Sequence, residues 1–228
     1  MNKPLLAGGA ILGALVFVVG GWLFFRGRDE RLSDELFQLM VRKGAALNAP
    51  EPEEVRAFVA SHPAVANRRF PKSDEFPLHR AAENGWTRTC EALLDGGADV
   101  NARDPMKLCP LYYAIYSDQF QKHPELARLL IDRGADLNAL DSEGRSVLHY
   151  AAMNGSPKTV RFLAERGADV LAGRNGLTPR AALSAIKDLY VGGDVKGKLK
   201  PGKSLTPRDE EQREIYLYLL DREKQRKK

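Results

Sequence analysis

The hydrophobic and polar positions of this chain follow one pattern that occurs three times. Each copy opens with an apolar segment of the Pro-Leu-His type and closes with Gly-Ala-Asp. The openings lie at residues 76–82, 109–114 and 146–152, and the closings lie at residues 97–101, 134–138 and 167–170. The period is near 33 residues, as between the closing glycines Gly134 and Gly167. A fixed period of this length predicts stacked units, none of which can bury its apolar face alone.

Each copy predicts a pair of helices. A proline such as Pro77 suits the first helical position, because its φ is already helical and it has no N–H to lose. Asn84-Gly85 then ends the first helix, and a second helix carries apolar residues at helical spacing, as at residues 126–130. The glycine of Gly-Ala-Asp closes that second helix, because glycine adopts the left-handed conformation without a Cβ clash.

Residues 74–185 resemble the ankyrin repeat, since the helix start, the inter-helix glycine, the helix end and the period recur in register. The resemblance implies an all-α solenoid of stacked helix pairs, with hairpin loops on one side and a concave surface that binds other proteins. The second unit departs from the family with Tyr112 in place of histidine. A fourth copy has Arg180 where the unit has a buried leucine, which predicts a capping unit with one face in water.

The segments beside the repeats also predict helices. Two amphipathic helices between residues 30 and 72 form a degenerate first unit. The last unit is predicted to have helices at residues 179–190 and 207–220, joined by a Lys/Gly-rich insertion. The predicted domains are a tail and anchor (1–25), a juxtamembrane segment with a capping helix pair (26–72), three repeats (73–175), a C-terminal capping repeat (176–222) and a basic tail (223–228).

Residues 4–25 contain no charged side chain. A helix of this length, at about 1.5 Å per residue, crosses a hydrocarbon layer of about 30 Å. The segment is longer than the core of a secretory signal and ends with Trp22 before Arg26, which favours an uncleaved transmembrane anchor. Gly9 and Gly13 form a GxxxG pattern, which predicts either a weak homodimer contact or a plain lipid-facing anchor.

This anchor predicts a single-pass protein of the plasma (inner) membrane. Arg26, Arg28 and Arg31 follow the apolar segment and only Lys3 precedes it, which favours repeats on the cytoplasmic side. A short tail with one lysine is also typical of a bacterial signal anchor, which would place the repeats in the periplasm. The sequence leaves the side of the membrane open.

The chain has a formal net charge of +5 and a pI near 9.2. Four lysines of the insertion can contact an anionic surface or form a solvated loop: Lys196, Lys198, Lys200 and Lys203. No aromatic residues are interleaved with the basic ones, so nucleic acid is not expected as a partner. Two cysteines in 228 residues do not make a disulfide framework.

The sequence predicts no catalytic residue, no cofactor and no metal site. Its histidines have no metal-ligand spacing. Residues 197–204 match the letters GxxxxGKS, but no hydrophobic strand precedes them, as a phosphate-binding loop requires. A phosphate- or nucleotide-using enzyme with Lys203 and Ser204 is therefore only the alternative of another class.

The resemblance implies that partner contacts come from the hairpin tips and the concave ends of the first helices. In this chain the tip positions are Arg103, Met106, Lys107, Ser142, Glu143, Arg145 and Arg174. The helix positions are Glu83, Tyr116, Ser117, Met153 and Asn154, with Trp86 beside them. Aromatic and arginine side chains are the strongest candidates as anchors, namely Trp86, Tyr116, Arg103 and Arg145. Packing between repeats is the alternative for the two aromatic residues, and plain solvation is the alternative for the arginines.

The predicted function is a membrane-anchored, non-catalytic protein–protein interaction module. An alternative within this class is an immunity-type inhibitor that binds and neutralises a toxic effector, for example a membrane-attacking, type VI-secreted one. That alternative rests on analogy with small tethered solenoids among bacterial immunity proteins. The sequence does not identify the partner or the oligomeric state.

Overall fold

The computed structural model describes residues 29–41, 52–71, 73–116, 124–153, 156–181, 183, 195–196, 199–201 and 204–226. Helix α1 comprises residues 29–41. The other helices are α2 Pro52–Ser61, α3 Pro77–Glu83, α4 Thr87–Asp95, α5 Pro110–Tyr116, α6 Pro124–Asp132, α7 Val147–Met153, α8 Pro157–Glu165 and α9 Pro207–Arg226, with a 3-10 turn at Pro63–Asn67. The described part of the chain contains no β-strand; Leu140 and Ser146 form an isolated bridge. The all-α prediction is confirmed for these residues.

The helices form two layers. In the first layer α3 packs against α5 and α5 packs against α7, while in the second layer α2 packs against α4, α4 against α6 and α8 against α9. The two layers are held together within each unit, by α3 with α4, α5 with α6 and α7 with α8. This arrangement is the stacked helix-pair solenoid that the sequence period predicted.

The core lies between the two layers and follows the repeated leucine positions. Leu78, Leu111 and Leu148 of the first helices are fully buried, as are Leu93 and Leu163 of the second helices. The glycines that close the second helices have left-handed backbones, with φ values of 89° at Gly97, 90° at Gly134 and 99° at Gly167. Both features agree with the sequence pattern, because they depend on spacing within one unit.

A ladder of asparagine side chains joins the loop of each unit to the next unit. Each asparagine Oδ1 accepts a hydrogen bond from the backbone N–H of the next Gly-Ala-Asp aspartate. The pairs are Asn67 with Asp99 (2.7 Å), Asn101 with Asp136 (2.8 Å) and Asn138 with Asp169 (2.7 Å). Residues 52–71 therefore take part in the same inter-unit contact as the repeats that follow them.

We expect Asn101→Ala to lower the free energy of unfolding by about 1 kcal/mol, because two inter-unit hydrogen bonds are lost at a partly exposed site. The second bond is from Asn101 Nδ2 to the carbonyl of Gly134, at 3.0 Å. Urea denaturation followed by circular dichroism measures the change. The matched control is Asn84→Ala, because the Asn84 side chain donates to Arg80 O of its own unit. Equal losses for the two variants would contradict a specific role of the ladder.

The C-terminal end of the stack is closed by α9, which is 20 residues long. Arg180 replaces the usual leucine, and its guanidinium donates to Glu223 Oε1 (2.9 Å) and to the hydroxyl of Tyr216 (2.8 Å). Arg226 forms an ion pair with Asp169 in the loop of the third repeat. Residues 223–226, predicted as part of a basic tail, continue the helix. Glu223 is buried against the stack, and the exposed Arg226 contacts it through Asp169.

The predicted single-pass membrane location is corrected by the structure. Within the described ranges, no helix combines the length and the apolar character that crossing a bilayer requires. Residues 4–25, on which the prediction rested, lie outside the described residues, as do Gly9 and Gly13 of the predicted homodimer contact. That prediction came from the hydropathy and length of the segment and from Trp22 before Arg26, all of which are properties of residues that are neighbours in the sequence.

Candidate functional site

The tips of three successive hairpin loops form one row, here called the tip row and comprising residues 103–108, 141–145 and 173–177. The backbone N–H of Ser142 donates to Met106 O (3.0 Å), and the N–H of Arg174 donates to Gly144 O (3.2 Å). These bonds join each tip to the next one. The structure therefore brings the predicted tip residues of three loops together along one edge of the stack.

Side chains of the first helices hold the loops in place. His79 Nε2 donates to Leu108 O (3.0 Å) and His149 Nε2 donates to Leu177 O (2.8 Å). Tyr112 stands where the first and third repeats have histidine, and its hydroxyl donates to Ala139 O (3.2 Å) in the loop that follows its own unit. Burial lowers the pKa of both histidines, which favours their neutral forms. The histidine positions are thus structural contacts between a helix and the following loop.

A buried carboxylate closes each of two tips, a feature that the sequence reasoning missed. The Tyr113 hydroxyl donates to Asp104 Oδ2, and the Tyr150 hydroxyl donates to Asp141 Oδ2, both at 2.7 Å. In each case the tyrosine follows its aspartate by nine residues. The repeated spacing of nine residues is visible in the sequence. It indicates a tyrosine–aspartate hydrogen bond only when the loop is known to fold back onto the helix.

Two predicted anchors, Arg103 and Arg145, make contacts within the tips. Arg103 Nη1 donates to Lys107 O at 2.7 Å. Arg145 forms ion pairs with Asp141 and Glu143, both at 2.9 Å, and its guanidinium lies 4.9 Å from the centre of the Tyr150 ring. Trp86 is half-buried and packs against the core at the start of α4. These contacts stabilise the row itself, and a direct role of the three residues in partner binding stays a prediction.

The remaining predicted positions divide into exposed residues and residues outside the description. The exposed ones are Glu83, Met106, Lys107, Ser142, Glu143, Met153 and Arg174. Met106 has the largest exposed fraction of any large hydrophobic residue in the described part of the chain, 56%. Tyr116 belongs to α5, but its side chain is not described, and Ser117 and Asn154 lie outside the described residues. The exposed residues, together with the tip row, are the candidate site.

The structure also locates the residues considered for other chemistry. Within the described ranges no group of three or more His, Cys, Asp or Glu side chains is placed to hold a metal ion. Cys90 and Cys109 are buried and unpaired, and burial raises the pKa of both thiols, which makes them poor nucleophiles. Lys196 and Lys200 are exposed, Lys198 and Lys203 lie outside the description, and Ser204 is exposed before α9.

Comparisons with known proteins place most of the chain in one group. A family model described as "Ankyrin repeats (3 copies)" matches residues 43–141 and 78–174. A putative ankyrin repeat protein of Rickettsia bellii (strain RML369-C) is 31% identical over 84 residues, which are 35% of this chain and 35% of that protein. A transient receptor potential cation channel subfamily A member 1 homolog of Caenorhabditis elegans is 29% identical over 150 residues, 60% of this chain and 12% of that protein. The chain thus spans about a third or less of these relatives.

Proposed function

Because the chain belongs to the ankyrin-repeat family, we propose that it is a non-catalytic module that binds another protein through its tip row and the adjoining ends of α3 and α7. One observation carries this proposal. Exposed side chains of several types lie on loops whose backbones are already fixed to each other and to the first helices. A surface of this kind loses little conformational freedom when it binds.

The exposed residues have the chemistry of a protein interface. Met106 and Met153 supply flexible apolar contacts, and methionine is common on surfaces that bind proteins. Glu83, Lys107 and Arg174 supply charges around them. The inhibitor of a toxic effector that was considered from the sequence would use the same surface, so the same experiment tests it.

We expect the triple variant Glu83→Ala/Met106→Ala/Met153→Ala to lose its bound protein, with at least a tenfold drop in affinity. The reason is that three exposed side chains of the proposed surface are removed, while the buried residues stay intact. The full chain, tagged and cross-linked in cells, is purified, and the co-purified proteins are quantified by mass spectrometry.

The matched control is Arg88→Ala/Glu91→Ala/Lys158→Ala, three exposed residues of the second helices α4 and α8. Both variants should keep their melting temperature within about 3–6 °C, since each of the three exposed substitutions changes stability by about 0.5 kcal/mol or less. A partner that is retained by the first variant and lost by the control would place the binding surface on the second helices instead.

A further inference from the structure

The first tip of the row, residues 103–108, carries a lysine where the middle tip has a glycine. Lys107 has a left-handed backbone with φ 62°, and the corresponding residue of the middle tip, Gly144, has φ 85°. Asp74 and Asn175 also have positive φ, but short Asp and Asn side chains tolerate this conformation by local hydrogen bonding. A lysine has no such compensation, so its presence at an exposed tip indicates a use for its side chain.

The backbone around Lys107 is held by hydrogen bonds. Its N–H donates to Asp104 O (2.9 Å), and its carbonyl accepts from Arg103 Nη1 (2.7 Å). The carbonyl of Met106 accepts from Ser142 N of the next tip (3.0 Å). Met106 and Lys107 are nevertheless exposed, so this tip presents an apolar side chain beside an ammonium group on a fixed backbone.

A second cation lies two tips away. A Cβ atom added to Gly144 would lie 2.7 Å from Cβ and 2.9 Å from Cγ of Arg174. The absence of a side chain at Gly144 therefore makes room for the aliphatic part of Arg174 along the row. Arg174 itself is exposed, and among the residues that the structure describes neither Lys107 nor Arg174 has a carboxylate within ion-pair distance.

The carboxylates of this edge are already occupied. Asp104 and Asp141 are buried and accept hydrogen bonds from tyrosine hydroxyls and loop N–H groups. Glu143, in the tip between the two cations, is paired with Arg145 at 2.9 Å. The positive charges of Lys107 and Arg174 are thus left to attract a negative partner.

We propose that Lys107 and Arg174 bind two acidic side chains of one extended peptide segment of the partner protein, and that Met106 contacts an apolar side chain of the same segment. This inference rests on the proposed function and names the chemistry of its partner. Adjacent packed helices lie roughly 8–10 Å apart, so tips two units apart are separated by about 16–20 Å. An extended chain at about 3.3 Å per residue covers that distance in about five or six residues. The segment therefore carries two acidic residues at that separation, with an apolar residue near the one that meets Lys107.

The test uses the full chain, immobilised, and a random 12-residue peptide library displayed on phage. The expected result is enrichment of peptides with two acidic residues about five or six positions apart and an apolar residue beside one of them. The leading peptide, synthesised with a fluorophore, should bind at least tenfold more weakly to Lys107→Glu and to Arg174→Glu. The matched control Lys158→Glu, an exposed lysine of α8, should change the affinity less than twofold. Binding should weaken between 50 and 500 mM NaCl, because exposed charges are screened.

Four outcomes would overturn the inference. Enriched peptides without acidic residues, or a leading peptide indifferent to both charge reversals, would show that the tip cations do not select the partner. A library that yields no binder would show that the row does not recognise a linear acidic segment. Vesicles containing phosphatidylglycerol that bind in a Lys107-dependent way, while the peptides do not, would assign the cations to a lipid surface. The proposed function would survive the three peptide outcomes as long as Glu83, Met106 and Met153 remain necessary for partner capture.

Discussion

Gly173→Ala is expected to lower the free energy of unfolding by about 3 kcal/mol or more, the largest effect of any substitution considered for this protein. Gly173 has φ 154°, and a Cβ atom there would lie 1.6 Å from the carbonyl oxygen of Leu177. That oxygen accepts the hydrogen bond from His149 Nε2. The added methyl group therefore has to displace the loop that attaches the last unit to α7.

Thermal denaturation followed by circular dichroism measures this loss, which corresponds to a decrease in Tm of about 6–12 °C for a chain of this size. In the variant, the rate of amide hydrogen exchange should rise first in residues 173–181 and in α9, because repeat stacks can open from one end. The matched control is Gly176→Ala in the same loop. Gly176 has φ 77° but nothing within 4 Å of an added Cβ, so only the backbone cost of about 1 kcal/mol is expected. If the two variants were equally stable, the loop would not be held in the observed contact with His149.

Asp141→Ala is expected to cost about 3 kcal/mol at neutral pH. The Asp141 side chain is only 1% exposed and accepts hydrogen bonds from Glu143 N, Arg145 N, Arg145 Nε and the Tyr150 hydroxyl. Its removal leaves these donors without their acceptor. The matched control is Asp104→Ala in the preceding tip, where the carboxylate accepts from Leu108 N and the Tyr113 hydroxyl. Because the Asp104 carboxylate has fewer hydrogen-bond donors and no paired arginine, Asp104→Ala should lose about half as much free energy of unfolding as Asp141→Ala.

The effect of Asp141 should depend on pH. Burial by itself would raise the pKa of Asp141, but hydrogen bonds from Arg145 N, the Tyr150 hydroxyl and the Arg145 guanidinium outweigh it, and the pKa is lowered. A folded-state pKa below the unfolded value of about 3.9 means that the stabilisation is fully present above that value. It is lost as the pH falls through the folded-state pKa.

Urea denaturation of wild type and Asp141→Ala at several pH values tests this sign. The difference in free energy of unfolding should be constant from pH 5 to pH 8 and should shrink below a pH of about 4. A difference that stays constant down to pH 3 would mean that the carboxylate stabilises the tip by its shape and not by its charge.

Much of the fold follows from spacing along the chain. The helix pairs, the buried positions of Leu78 and Leu148 and the left-handed glycine after each second helix repeat within single units, so a pattern of one period predicts them. The length of α9 was predicted less well. Its last turn depends on Glu223 meeting Arg180, 43 residues away in the sequence, and no local pattern reports such a contact.

The candidate site was predictable as a set of positions but not as a set of roles. Arg103 and Arg145 are arginines at hairpin tips, which made them reasonable anchors, yet their guanidinium groups are bonded within the row. The paired tyrosines Tyr113 and Tyr150 were missed because their partners, Asp104 and Asp141, become neighbours only when the loop folds onto the helix.

By itself, the sequence determined that this protein is a stack of helix pairs with three related loops, because the 33-residue period controls which residues each unit must bury. Only the tertiary structure decided which charged residues of those loops remain available. Arg145 and Arg174 are both arginines at hairpin tips. Arg145 is paired with Asp141 and Glu143, whereas the side chain of Arg174 lies over Gly144 with its charge exposed. The physical reason is that an ion pair depends on the distance between two charged groups, and the folded loop sets that distance. The tip at residues 141–145 turns so that Asp141 and Glu143 meet Arg145, whereas no carboxylate among the described residues lies within ion-pair distance of Arg174.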